Sequence, residues 1–253
     1  MYSQMRIRGG GMSKLITGNN CSDAWLSVVE HILQSGRDCF NVVVEIEDPA
    51  SECQKIRVLL NKYLELAGKR PIEEVANTIF PISLYFPPLG RKQLYENYES
   101  AWPLIKLFNK WGTYFYRMIH WEDNGQSLNQ LECTINKLLA ALSSGPRYKS
   151  TYEVSIYRPE NDRLIRIGSP CLSHLSFKLE NGQLLLTVVY RNHFYIERAY
   201  GNFLGLGRLM EFIANESGIT VGQLTCISTH ATLGDGIGKR SVESLVGSYY
   251  NIL

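Results

Sequence analysis

The stretch from Ser169 to Asn202 limits what this chain can fold into more than any other. It opens on Pro170-Cys171. Leu172 to Leu179 follows as a strand-like run, with apolar residues at alternate positions near its end. Glu180-Asn181-Gly182-Gln183 reads as a tight hairpin turn, because Asn-Gly readily takes the positive φ angles such a turn needs. Leu184 to Tyr190 is a second apolar run, long enough for a buried strand, and Arg191-Asn192 closes it. One hairpin therefore carries a thiol at one end and a guanidinium at the other.

The elements around this hairpin are of both kinds. Cys21 to Gln34 reads as a helix, with Ser22-Asp23 at its start and Trp25, Val28, Val29, Ile32 and Leu33 at helical spacing. Phe40 to Ile46 is a β-branched strand stopped by Asp48-Pro49. Ser51 to Ala67 is a helix ended by Gly68. Pro71 to Pro81 carries no pattern that assigns it, and Pro87 to Gly90 is a turn. Arg91 to Lys110 and Asn129 to Leu142 are further helices. Tyr152 to Tyr157 is a strand, and Arg158 to Asp162 a turn. After the hairpin come a helix from Phe203 to Ser217, a short strand near Gln223 to Ile227, and a final helix near Ser241 to Tyr249. Strands and helices mix without strict βαβ alternation. This predicts an α+β class: a single domain with a mixed β-sheet and flanking helices.

With 253 residues, 45% hydrophobic and 20% charged, the chain can build one large core. The expected layout is a flexible leader over 1–14, containing Gly9-Gly10-Gly11, and a domain over 15–253. A net charge of +2 gives no field suited to nucleic acid or a membrane surface. No apolar run approaches the roughly 20 residues of a membrane span, and the leader lacks the apolar centre of a signal peptide. The six cysteines form no CxxC pair and no zinc spacing, so no metal is expected. They read as reduced thiols of a cytoplasmic protein.

Arg191 follows Cys171 by 20 positions and Asn202 follows it by 31. A Pro-Cys, a hairpin, an Arg at its far end and an Asn opening a long helix, at these spacings, resemble the thymidylate synthase family. The resemblance extends through Phe203 to Gly222 and to Trp111-Gly112-Thr113-Tyr114-Phe115-Tyr116-Arg117. It implies a thymidylate synthase-like fold and one-carbon transfer to C5 of a pyrimidine nucleotide of dUMP, UMP or CMP type. The product would be that of a methylase or a hydroxymethylase. Cys171 matches the nucleophile, which adds to C6 of the ring. Arg191 matches the cation near that thiol, which also binds the phosphate. Asn202 matches the residue that reads the pyrimidine edge with one donor and one acceptor. Tyr114 matches a wall tyrosine that orders a proton-relaying water. The family is an obligate dimer, and its partner subunit supplies phosphate-binding arginines; here Arg147 and Lys149 lie just upstream of that position.

Each residue type also has an ordinary use. Cys171 suits a small buried hydrophobe, Arg191 a solvated strand end, and Arg147 and Lys149 a solvated loop. Tyr114 and Tyr116 suit an aromatic core cluster. Asn202 suits a helix N-cap, a role compatible with reading a base.

The pattern also departs from the family. Leu172 replaces the His after the nucleophile. Asn192 replaces the Ser after the Arg and is carried over as a substrate-binding position. Phe194 replaces the Asp that grips the pterin of 5,10-methylenetetrahydrofolate, and a phenyl ring cannot accept N–H bonds. The family's sugar-binding His and Tyr fall on Thr232 and Gly234, with His230 two residues early. Glu65, Glu73 and Glu74 are candidates for the active-site carboxylate. The alternative function is a catalytically degenerate nucleotide-binding protein of the same fold.

Overall fold

In the computed structural model, which describes residues 13–123, 125–143, 149–165 and 168–250, the chain begins with β1 (Lys14–Asn20), α1 (Cys21–Ser35) and β2 (Asp38–Asp48). Helices α2 (Gln54–Leu66), α3 (Ile72–Ile79), α4 (Gly90–Phe108) and α5 (Tyr114–Ile119) follow. A small hairpin, β3 (Trp121–Asp123) and β4 (Gln126–Leu128), leads to α6 (Gln130–Ser143), β5 (Glu153–Ser155) and the one-turn α7 (Pro159–Asp162). The predicted hairpin is β6 (Leu172–Glu180) and β7 (Gln183–Tyr190). The chain then runs through β8 (His193–Phe194), α8 (Tyr200–Ser217), β9 (Thr220–Thr232) and α9 (Lys239–Tyr250). The result is one mixed α/β domain. The seven strands of its main sheet run β1-β2-β9-β7-β6-β5, with β8 beside β9. β1 runs parallel to β2, and β7 and β8 run parallel to β9; the other pairs are antiparallel.

Alternation decides which side of this sheet is buried. Side chains opposite each other on paired strands share a face. One row across the sheet is Ile16, Val44, Cys226, Val188, Leu175 and Val154, and all six are buried. The neighbouring row on the other face begins Leu15, Val43, Ile227 and Val189, where Leu15 is exposed and the rest are half-buried. The turn between β6 and β7 holds Asn181 at φ 49° and Gly182 at φ 80°, as the Asn-Gly pair predicts.

Helix α8 lies on the buried side and is apolar nearly all round, the pattern of a helix enclosed by its neighbours. Its glycines permit the close approach. A Cβ on Gly201 would stand 2.7 Å from Val75 Cβ, and one on Gly205 would stand 2.7 Å from the Ala76 carbonyl oxygen. Both contacts are with α3, so α3 sits tight against α8. An Arg57–Glu73–Arg208 ion-pair chain ties α2, α3 and α8 together.

Several elements differ from the sequence expectations. β1 was not anticipated, because as an edge strand it buries only Ile16 and shows no clear alternation. The segment over Pro71–Pro81 contains α3, which buries Ile72, Val75, Ala76 and Ile79 at helical spacing between two prolines. The strand expected over Tyr152–Tyr157 keeps regular pairing only at Glu153–Ser155, and β9 is much longer than the short strand expected. The helix expected from Phe203 begins at Tyr200 and continues a π-helical turn, Tyr195–Ala199. Asn202 is therefore inside the helix and is not its N-cap. Residues 1–12 of the expected leader, and Arg147, lie outside the described residues.

Candidate active site

The register of the hairpin pairs Leu172 with Tyr190, which sets Cys171 beside Arg191. The Arg191 amide donates to the Cys171 carbonyl at 2.8 Å. Its guanidinium folds back over the same strand end. Nη2 donates to Ser169 Oγ at 2.8 Å and to the Pro170 carbonyl at 2.7 Å, and the group lies 4.9 Å over the Tyr157 ring. Thiol and guanidinium thus open onto one cavity of about 830 Å³, which Asn192, Asn202 and Tyr114 also line.

Among the described residues, four cationic side chains, Arg70, Lys110, Arg191 and Arg198, line this cavity against one carboxylate, Asp235. Such a balance suits an anionic ligand. Burial pushes the Cys171 thiol up, while Arg191 and Arg198 pull the other way; the balance stays above the ordinary thiol value. The resting group is therefore a thiol at neutral pH, with two cations ready to stabilise a thiolate.

Tyr114 is positioned by its own helix start. Thr113 caps α5 by accepting the Tyr116 amide at 3.0 Å, and Thr113 Oγ1 is 2.6 Å from the Tyr98 hydroxyl. The Tyr114 hydroxyl accepts the Leu172 amide at 3.5 Å, one residue from the thiol. Burial, then the neighbouring Cys171, push its pKa up to about 12, so the phenol stays protonated. Tyr116 instead stacks on Trp102 at 3.9 Å, in an aromatic cluster. The wall at Trp111 is fixed from behind. Arg117 donates to the Trp111 carbonyl and grips Asp162 with two bonds of 2.7 and 2.9 Å.

Asn202 is buried in the first turn of α8, and its Nδ2 donates to His193 Nε2 at 3.0 Å. Asn192 accepts from His230 Nδ1 at 2.7 Å. His230 meets the cavity through that contact and is not itself among the lining residues; neither are Thr232 and Gly234. Phe194 does line it. Glu65, Glu73 and Glu74 do not; α3 turns Val75 and Thr78 to the cavity, while Glu73 is bound to Arg57 and Arg208. Lys149 is exposed and outside the lining. Among the described residues no cluster of His, Cys, Asp and Glu could hold a metal, and no helix is long and apolar enough to cross a membrane.

Sequence reasoning missed Arg70, Lys110, Arg198 and His193. Arg198 and His193 sit between Ser169 and Asn202, yet only the π turn and the short β8 bring them to the cavity. Gly201 and Gly205, four residues apart, were the one signal that another helix packs against α8 and supplies a wall.

No family model matches the chain. Among curated proteins, the chain is similar to a "putative thymidylate synthase" of Methanosarcina acetivorans, at 27% identity over 123 residues, covering 49% of this chain and 52% of that protein. Proteins of the same name are similar in Methanocaldococcus jannaschii, at 27% over 192 residues (75% and 72% covered), and in Methanothermobacter marburgensis, at 24% over 232 residues (87% and 92% covered). The chain spans about half the length of the Methanosarcina relatives it matches. At 24–28% identity these methanogen proteins bear out the family resemblance, as divergent relatives.

Proposed function

We propose that the protein transfers a one-carbon unit to C5 of a pyrimidine nucleotide through a covalent adduct between Cys171 and C6. The observation that carries this reading is the meeting of Cys171, Arg191 and Asn202 in one cation-lined cavity. The names of the methanogen relatives point the same way.

C5 of a uracil or cytosine ring is a poor nucleophile. Addition of Sγ forms an S–C6 bond and moves the C5–C6 π pair toward the C4 substituent. C5 then has enolate-like character and can bond an electrophilic carbon. Loss of the C5 proton as the S–C6 bond breaks returns the thiolate. The chain's own residues divide this work. Cys171 begins as a thiol and must lose its proton, and the positive charges of Arg191 and Arg198 stabilise the anion as it forms. The Arg191 N–H groups not used on Ser169 and Pro170 are suited to the nucleotide phosphate. Tyr114, protonated beside the reacting sulfur, orders water for proton transfer. Asn202 and Asn192 hold the nucleotide's polar edges.

Phe194 offers a folate no N–H acceptor, and among the described residues Asp235 is the one carboxylate lining the cavity. The site does not fit 5,10-methylenetetrahydrofolate at position 194. A second copy of the chain belongs to the proposal. The apolar row Leu15, Val43, Ile227 and Val189 on the open sheet face suits a dimer contact. Such a dimer would supply the partner's Arg147 and the partner's Lys149 for phosphate binding.

The raised thiol, and a cavity lined by no glutamate among the described residues, favour a second reading, in which the protein binds a nucleotide without turnover. Mass spectrometry after incubation with 5-fluoropyrimidine nucleotides, with and without one-carbon donors, separates the two. An adduct on Cys171 that disappears in Cys171→Ala supports transfer. An unmodified protein that still binds nucleotide by calorimetry sinks transfer and leaves the binding reading.

A further inference from the structure

His193 is buried at the cavity wall, and the chemistry above gives it no task. Its ring is fixed on every side. It stacks on Tyr190 at 4.0 Å with an interplanar angle of 4°, and it meets Tyr195 and Phe203 at centroid distances of 4.9 and 5.9 Å. Both ring nitrogens have polar partners. Asn202 Nδ2 is 3.0 Å from Nε2, and Ser228 Oγ is 3.0 Å from Nδ1. Ser228 Oγ in turn is 3.1 Å from the Tyr195 hydroxyl. His193, Asn202, Ser228 and Tyr195 are all at most 3% exposed.

An amide NH₂ can only donate, so Nε2 accepts from Asn202. A neutral imidazole that accepts at Nε2 carries its proton on Nδ1, and that proton goes to Ser228. Burial pulls the His193 pKa down to about 3, so the ring keeps one donor and one acceptor throughout the physiological range.

Building on the pyrimidine reading of the site, we propose that His193 is a positioning residue that fixes which end of the Asn202 amide faces the substrate and so selects between uracil-type and cytosine-type bases. Uracil presents an N3–H donor and an O4 acceptor. Cytosine presents a bare N3 acceptor and an N4 amino donor, so donor and acceptor exchange places along the same edge. A freely turning amide matches either base after a half-turn. An amide held by its nitrogen end matches one, and the other base meets donor against donor or acceptor against acceptor. Ser228 is part of the device. Without its oxygen, the Nδ1 proton has no partner in a dry site, which favours the other tautomer, with the proton on Nε2. That tautomer requires Asn202 to present its oxygen to the ring, turning the amide over.

The test is calorimetric binding of dUMP, dCMP, UMP and CMP to the full chain and its variants. The wild type should prefer one base by about tenfold or more, the ratio that corresponds to one mismatched hydrogen-bond pair. Ser228→Ala should reduce that ratio by about tenfold or invert it, and His193→Leu should remove it. In an Asn202→Ala background neither change should alter the ratio, since the route runs through that amide. Tyr195→Phe gives a milder version of the same loss should His193→Leu fail to fold. Unchanged ratios in Ser228→Ala and Tyr195→Phe, with nucleotide still bound, overturn the proposal. Equal affinity of the wild type for both bases overturns it alone, whereas no binding of any of the four overturns the nucleotide reading as well.

Discussion

Gly207→Ala should unseat α8 and, with it, the Asn202 amide that lines the cavity. A Cβ at this position would stand 1.9 Å from the Pro49 carbonyl oxygen and 2.8 Å from its carbon. A usual C–O contact is about 3.3 Å or more, so helix and corner must part by roughly 1.4 Å, and the obstacle is backbone that cannot rotate aside. Overpacking of this kind costs about 1–3 kcal/mol, and a backbone obstacle puts it at the upper end. Alanine returns about 1 kcal/mol of helix propensity over glycine. The net loss is about 2 kcal/mol, which for a chain of this size lowers Tm by roughly 4–8 °C. Gly247→Ala on α9 is the control. That glycine is exposed, with nothing within 4 Å of an added Cβ, so the same substitution should stabilise by about 0.5–1 kcal/mol. Calorimetric melting of both variants against the wild type reads the difference. Because Asn202 rides on α8, nucleotide affinity should also fall in Gly207→Ala and remain in Gly247→Ala. A Gly207→Ala protein melting at or above the wild-type temperature would falsify the seating of α8 against Pro49.

Further expectations concern the cavity. Arg191→Ala should weaken nucleotide binding by about 10- to 100-fold, the loss of charge-assisted hydrogen bonds to a phosphate; an unchanged dissociation constant removes Arg191 from the site. Arg198→Ala takes away a cation that favours the thiolate, so alkylation of Cys171 by iodoacetamide, followed by peptide mass spectrometry, should need higher pH and slow by up to about tenfold near pH 8. A faster reaction in that variant contradicts the assigned sign. Asp162→Asn should cost about 3–5 kcal/mol in urea unfolding at pH 7, because it leaves the buried Arg117 without its counter-charge. Burial alone would raise the Asp162 carboxyl, but the Arg117 hydrogen bonds, the Arg158 amide and the Arg117 charge outweigh it and hold it below the usual range. Its contribution is therefore fully present above the unfolded value of about 4 and disappears as pH falls through the folded one. The gap between wild type and Asp162→Asn should close in acid, and a gap that widens there contradicts the pairing.

How much of this was legible in the sequence depends on where each element's signal lay. The hairpin was readable because Asn181-Gly182 determines the turn and the turn determines the register, which alone brings Cys171 to Arg191. α1 was readable from its apolar spacing. β1 was not, since an edge strand facing solvent on one side needs little alternation. α3 carried helical spacing that its bracketing prolines masked. Asn202 was read as a helix opener, whereas it lies inside α8 and lines the cavity. The π turn ahead of it satisfies the backbone donors that a cap would serve, which leaves the side chain for other partners. His193 was illegible because its partner Ser228 lies 35 residues away in sequence and comes alongside only when β8 pairs with β9.

That π turn, Tyr195–Ala199, holds one residue more than an α-helical path would use. The surplus works as a phase setting. Deleting one residue there would let the segment relax to ordinary helix and rotate α8 by about 100° relative to β8. Arg191 would stay at the strand end while Asn202 swung toward the wall that α3 now occupies. Relatives that shorten or lengthen this turn would have to carry the side chain that lines the cavity at another position along the helix, so a motif search at fixed spacing would pass them by.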